Sequence, residues 1–261
     1  MSPDVARPWF TTRTEDGRTL PYACWALTEP LLTISSAPLG GGIGLRWWVI
    51  NATVPMSYRR DDPDTHLVGL AEQADLRGPG VGLLTGVDVR RMVTRDEAGV
   101  QVWATVGLGT PVLAAAPRTA GPPPEQVGTI NIVAALPVRL GEAALVNAVA
   151  TITEAKTQAL VELGLRATGT ATDAVVVLCP PDGPEQRYGG PRSTWGGRLA
   201  RVAHAAVRGG TAQRGGTAQR GGTAQGGGTA QGGGATDPQG RQIGHGDKPA
   251  GRLSSPETPG R

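Results

Sequence analysis

Aromatic residues other than tryptophan are nearly missing from this 261-residue chain, which has one Phe and three Tyr beside six Trp. Lysine is scarcer: Lys156 and Lys248 stand alone among 25 basic residues. The two cysteines, Cys24 and Cys179, lie far apart and match no CxxC or zinc spacing, so both read as small core hydrophobes of a reducing cytoplasm. Of the three histidines, His66 reads as a helix-surface residue and His204 as a helix-face residue, and the third lies in the tail. No HExxH occurs, which argues against a histidine cage for zinc. A GxSxG elbow is missing too, and with it the usual serine-hydrolase triad. The glycines at 40–42 and 44 lack a following GK[ST], so a phosphate loop is not expected. No apolar run approaches the ~18 residues of a membrane span. The start, MSPDVARPWF, has no basic stretch followed by an apolar one. The expectation is a cytoplasmic protein with no membrane partner and no metal site.

What the chain has in excess is glycine, 40 residues, and proline, 22. From Arg208 it reads RGGTAQ three times, then GGGTAQ, then GGGATD, and this tail to Arg261 holds 17 of the glycines. It has no aromatic residue, and Ile243 and Leu253 are its only large aliphatics. So little apolar surface cannot offset the entropy of ordering, so 208–261 is expected to be a disordered low-complexity tail. The tail carries seven basic and three acidic residues, whereas 1–207 carries 18 and 19. The formal charge of +3 and the pI of about 9.2 therefore belong to the tail. Residues 1–207 have no charge that would attract nucleic acid, and only RNA binding through the RGG-like repeats stays open as an alternative.

Within 1–207 the pattern predicts strands over 9–14 and 19–27, joined at Glu15-Asp16-Gly17 as a hairpin, and over 31–36 and 45–53. A short helix capped by Asp64 follows over 65–76. Strands are predicted over 81–85, 100–107, 129–135 and 173–178, with a proline-rich loop over 109–127. Long helices are predicted over 141–163 and 194–207. About eight strands and three helices, strands mostly first, suggest a single α+β domain, with mixed α/β as the other possibility.

Some polar residues stand where apolar ones belong. Lys156 projects into the apolar face formed by Val149, Ile152 and Leu160, where it either snorkels to a rim or serves as a fixed cation. Asn147, Thr151, Glu154 and Gln158 form a stripe behind it. Thr168, Thr170 and Thr172 alternate with small residues ahead of Asp173, at the entry to a buried strand. Asn131 interrupts the apolar strand 129–135, where an unpaired amide costs about 1–3 kcal/mol. Asp88 has the same character.

The segments TGVDV (85–89), TVGLG (105–109), GTINI (128–132), NAVATITEAKTQAL (147–160) and TGTATDAVVV (168–177) resemble the adenosylcobinamide amidohydrolase family. YGGP (188–191) and Ser35-Ser36-Ala37, followed by glycines and Asn51, are also similar. The likeness spans roughly 25–207. Thr110-Pro111 departs from it, since Asn-Ala is expected there, and a change in substrate range could follow. The resemblance implies hydrolysis of the amide between adenosylcobinamide and its aminopropanol arm. The products are adenosylcobyric acid and 1-amino-2-propanol, in corrinoid salvage for cobalamin. The cobalt corrinoid is then the substrate, and no cofactor is expected. The chemistry needs a base for water, a donor for the oxyanion and an acid for the amine. Candidates are Glu154 or Asp173 as base and Lys156 as cation or acid. Asn51, Asp88, Asn131, Thr168, Thr170 and Thr172 are candidate substrate-binding residues. A threonine nucleophile activated by Lys156 is the second mechanism. Of Trp47 and Trp48, which point to opposite sides of a strand, one could face the corrin. A non-catalytic corrinoid-binding protein is the other reading.

Overall fold

The computed structural model describes residues 7–117 and 128–218. Strands β1 (Trp9–Glu15) and β2 (Arg18–Ser35) form the expected hairpin, with Glu15 opposite Arg18. Asp16 and Gly17 both have positive φ, 50° and 71°, the backbone that two-residue hairpin loops require. β2 is a single 18-residue strand, where the sequence suggested two. Its pairing with β3 (Gly42–Thr53) shifts register between Ala26 and Leu31, so the pattern breaks although the strand does not.

Helix α1 (Pro63–Gln73) begins at proline, whose fixed φ suits a first turn; Asp64 lies in that turn instead of capping it. β4 (Gly80–Thr85), β5 (Val93–Glu97), β6 (Val100–Val106) and β7 (Ile130–Ala135) follow, then α2 (Glu142–Glu162), β8 (Ala174–Cys179) and α3 (Thr194–Ala218). β5, sequence VTRDE, carries no alternating apolar pattern, because it is a charged edge strand. The eight strands form one sheet in the order β4-β3-β2-β8-β7-β6-β5, with β1 on β2. The β3–β4 and β7–β8 pairs are parallel and the others antiparallel. The α+β class and the count of strands and helices agree with the sequence.

The sheet folds over on itself around β2, and strand parity decides what fills each layer. Trp25, Val49, Val81, Leu83, Trp103, Val133 and Val176 meet inside, between the two halves. The alternate residues Trp48, Ile50 and Ala52 pack outward on Leu67 and Leu70 of α1. On the other half, Val102, Ala104, Ile130, Ile132, Val175 and Val177 pack outward on α2 and α3. Cys24 and Cys179 are buried and free, and burial pushes the Cys24 thiol up to about 12.

Helix α3 does not stop at Val207. It runs through the first RGGTAQ repeat to Ala218, and the rest of the tail lies outside the described residues. Tertiary contact outweighs poor propensity here: Arg208 pairs with Glu162, and Gly210 is buried against β6. A Cβ at Gly210 would sit 2.6 Å from Val106 Cγ2. Gly210→Leu is therefore expected to cost about 1–3 kcal/mol, measured by urea denaturation, and an unchanged midpoint would contradict this packing.

Candidate functional site

Between the two halves, where β3 and β4 end and β7 and β8 begin, lies a cavity of about 510 Å3. Val54, Pro55, Met56, Leu83 and Leu84 supply apolar wall, and Ser36, Pro38 and Ala174 close another side. Its polar lining comprises Tyr58, Thr85, Thr129, Asn131, Thr172 and Asp173. A mostly apolar hollow with a few convergent polar groups is the ordinary form of a small-molecule site.

Parity explains why the amides are here. Asn51 and Asn131 occupy inward positions of β3 and β7, at the end of the inner core, and each is 1% exposed. Asn131 Nδ2 donates to Asn51 Oδ1 at 3.0 Å and to the Leu84 carbonyl at 2.9 Å. Asn51 Nδ2 donates in turn to Thr105 Oγ1 at 3.1 Å. These bonds tie the two halves together and consume both amide protons of Asn131. Asn131 Oδ1 is buried and has no partner among the described residues. An unfilled buried acceptor costs about 1–3 kcal/mol, and this one is enclosed by protein.

Asp173 sits on the cavity floor. Its Oδ1 accepts from the Ile130 amide at 2.9 Å and from Thr170 Oγ1. Its Oδ2 accepts from the Thr170 amide at 3.0 Å and from Lys156 Nζ. Four donors fill the lone-pair sites of a carboxylate. Lys156 does not snorkel: it is 8% exposed and reaches from α2 to Asp173. Gly169 covers this pair, and a Cβ there would lie 2.2 Å from Asp173 Oδ2 and 2.5 Å from Lys156 Nζ. The Thr-Gly-Thr pattern thus has a packing reason. Thr172 donates to the Gly128 carbonyl at 3.1 Å, so the 2.7 Å contact with Thr129 is Thr129 donating to Thr172. Thr85 lines the cavity, and its Oγ1 accepts from the Val87 amide at 3.1 Å.

The structure therefore gathers Asn51, Asn131, Lys156, Thr170, Thr172 and Asp173 around one end of the cavity. Three candidates lie elsewhere. Glu154 is exposed, beside Ala200, Arg201 and His204 on the outer surface. Asp88 accepts from the Arg90 amide at 3.0 Å as a turn cap, and the Arg90 guanidinium holds its carboxyl below the usual range. Thr168 accepts from the Ala114 amide at 2.9 Å, which fastens the loop after β6 next to Thr110-Pro111. Among the described residues Lys156 Nζ hydrogen-bonds Asp173 and no threonine hydroxyl. Trp48 packs on α1 and Trp47 is exposed; neither lines the cavity.

Sequence reasoning missed Tyr58, Thr85 and Thr129. The last two belong to the quoted TGVDV segment and to the residue run GTINI, so a motif was present. His66 is not a surface residue: it is 8% exposed, with Nδ1 3.0 Å from Tyr58 Oη. Burial holds its imidazole below the ordinary value, and burial likewise raises the Tyr58 phenol. Among the described residues no cluster of three or more His, Cys, Asp or Glu could hold a metal, and no helix is long and apolar enough to cross a membrane.

Hydroxyl-bearing side chains and Asn131 lining one mostly apolar hollow have the form of a small-molecule site. The model of the adenosylcobinamide amidohydrolase family matches residues 9–219, and the chain belongs to that family. It is accordingly a hydrolase of an amide bond. The adenosylcobinamide amidohydrolase of Methanosarcina mazei is 28% identical over 184 residues, 67% of this chain and 88% of that protein. That of Halobacterium salinarum is 33% identical over 162 residues, 60% of this chain and 70% of that protein. A solved Pyrococcus horikoshii protein aligns with 80% of this chain and 85% of its own at TM-score 0.42 and 11% identity, too loose a match to carry an argument.

Removing one partner of the buried pair should be worse than removing both. Lys156→Met is expected to lower stability by about 3–5 kcal/mol, and adding Asp173→Asn should restore part of it. Additive losses in urea denaturation would show that the two residues do not act as a pair.

Proposed function

We propose that this chain hydrolyses the amide joining the aminopropanol arm to adenosylcobinamide. The products are adenosylcobyric acid and 1-amino-2-propanol, and the reaction serves corrinoid salvage for cobalamin synthesis in the cytoplasm. The observation that carries this reading, beside family membership, is a mostly apolar cavity lined at one end by Tyr58, Thr85, Thr129, Asn131 and Thr172. A secondary amide brings one N–H and one carbonyl, which such a mixed lining can hold.

The cavity lies within the usual range of about 300–1,000 Å3 for small-molecule sites. That size suits the arm with its amide and the adjoining ring edge, while the broad face of the corrin stays outside. Apolar wall from Val54 to Met56 would contact the methylated ring edge. Asn131 and Thr85 bound the part of the cavity that would hold the arm's amide, and the Thr85 hydroxyl would donate to the carbonyl oxygen as negative charge develops. Asp173, with its acceptor sites filled, serves this reading as part of a fixed ion pair under the site, and Glu154 takes no part. The cobalt corrinoid is substrate, and the protein groups named hold only its periphery.

Incubation with adenosylcobinamide, followed by mass detection, is expected to give adenosylcobyric acid and 1-amino-2-propanol in equal amounts. Binding without either product would instead identify a non-catalytic corrinoid carrier. A chain ending at Ala218 should keep its turnover, and loss of turnover would mean that residues beyond it serve the reaction.

A further inference from the structure

Beside the cavity runs a chain of polar groups that the proposed reaction has not yet used; His66 and Arg13 in it are buried, Tyr58 and Glu15 half-buried. Tyr58 lines the cavity, and its Oη lies 3.0 Å from His66 Nδ1. The two rings stack with centroids 5.6 Å apart and planes 21° from parallel. His66 Nε2 lies 3.3 Å from Glu15 Oε2. The same oxygen takes Arg13 Nε at 2.9 Å and Arg13 Nη2 at 2.8 Å. Arg13 Nη2 also donates to the Thr53 carbonyl at 2.9 Å, at the end of β3 beside the cavity wall.

The partners set the tautomer. A carboxylate at Nε2 calls for N–H there, which leaves Nδ1 to accept the Tyr58 O–H. A carboxylate that orients a histidine, which accepts from the hydroxyl of a residue lining the cavity, is the arrangement of an acid–base relay. Neither Asp173, with its acceptors filled, nor exposed Glu154 supplies an unoccupied base to the cavity.

We infer that Tyr58 is the catalytic acid–base of the amide hydrolysis, with His66 and Glu15 as its positioning residues. The inference rests on the proposed reaction. As water attacks the amide carbon, its proton passes to Tyr58 Oη while the Tyr58 proton moves to His66 Nδ1. The imidazolium formed is stabilised by Glu15. When the C–N bond breaks, His66 returns the proton to Tyr58, and Tyr58 delivers one to the departing nitrogen. Water has then supplied hydroxide to the acyl carbon and a proton to the amine, and the three residues regain their starting states.

The charged groups around His66 are Glu15 and Arg13 on β1 and Arg60 and Asp62 in the segment before α1; Tyr58 completes its surroundings. Protonating His66 at Nδ1 removes the acceptor, so turnover should fall as pH drops. That limb should lie below the ordinary histidine value of about 6.5, because burial holds the imidazole neutral.

The test measures kcat, corrinoid affinity by absorbance titration, and thermal midpoint for the full chain and two variants. Tyr58→Phe is expected to lose about 100-fold or more in kcat with affinity within about threefold. His66→Gln keeps an acceptor toward Tyr58 but cannot take the proton; it should lose at least about tenfold in kcat, and its acid limb should disappear. Near-normal kcat in Tyr58→Phe, or an acid limb that persists in His66→Gln, would overturn the relay and leave the proposed reaction standing. A full chain that binds adenosylcobinamide without turning it over would overturn both. If Tyr58→Phe fails to fold, the His66→Gln pH profile decides alone.

Discussion

Four donors converge on the Asp173 carboxylate, and the geometry of the cavity depends on them. Lys156 brings α2, the Ile130 amide brings the start of β7, and Thr170 brings the preceding turn, while Asp173 itself leads into β8. One side chain thus sets how far apart a helix, two parallel strands and a loop may stand. At 12% side-chain exposure the carboxylate has little water, so the lysine and the amides must replace it. The near absence of other lysines leaves this pair without a competing cation of its kind.

Above that floor, strand parity decides the chemistry. A sheet folded over on itself needs apolar residues on both faces, and β3, β6 and β7 supply them until Asn51, Thr105 and Asn131. There the inner core ends in a polar seam that holds the two halves together, with Asn131 at the edge of the cavity.

Much of this could be read from residues alone, and the failures have physical reasons. Asn131, Lys156 and Asp173 stood out because polar groups broke apolar patterns, and such breaks demand partners. Asp88 broke its pattern in the same way but found its partner two residues away, in Arg90. Local capping and long-range assembly look alike in one dimension. Glu154 belongs to the polar stripe of α2 with Asn147, Thr151 and Gln158, and helix geometry turns it to solvent. Tyr58 and His66 gave no periodic cue, since their link to Glu15 crosses from a loop and α1 to β1. The tail boundary at 207 followed composition, whereas Gly210 and Arg208 are held by partners on β6 and α2 that composition cannot reveal. β5 was missed because an edge strand is charged by necessity, and β2 was split because a register shift interrupts its alternation.

The account stands on the arm's amide entering the cavity. A structure of the protein with adenosylcobinamide bound measures this directly, as the distance from the amide's carbonyl oxygen to Thr85 Oγ1. A separation of about 2.5–3.0 Å is expected, the range of an O–H···O hydrogen bond. An arm outside the cavity, or a carbonyl oxygen beyond hydrogen-bond reach of Thr85, would contradict it.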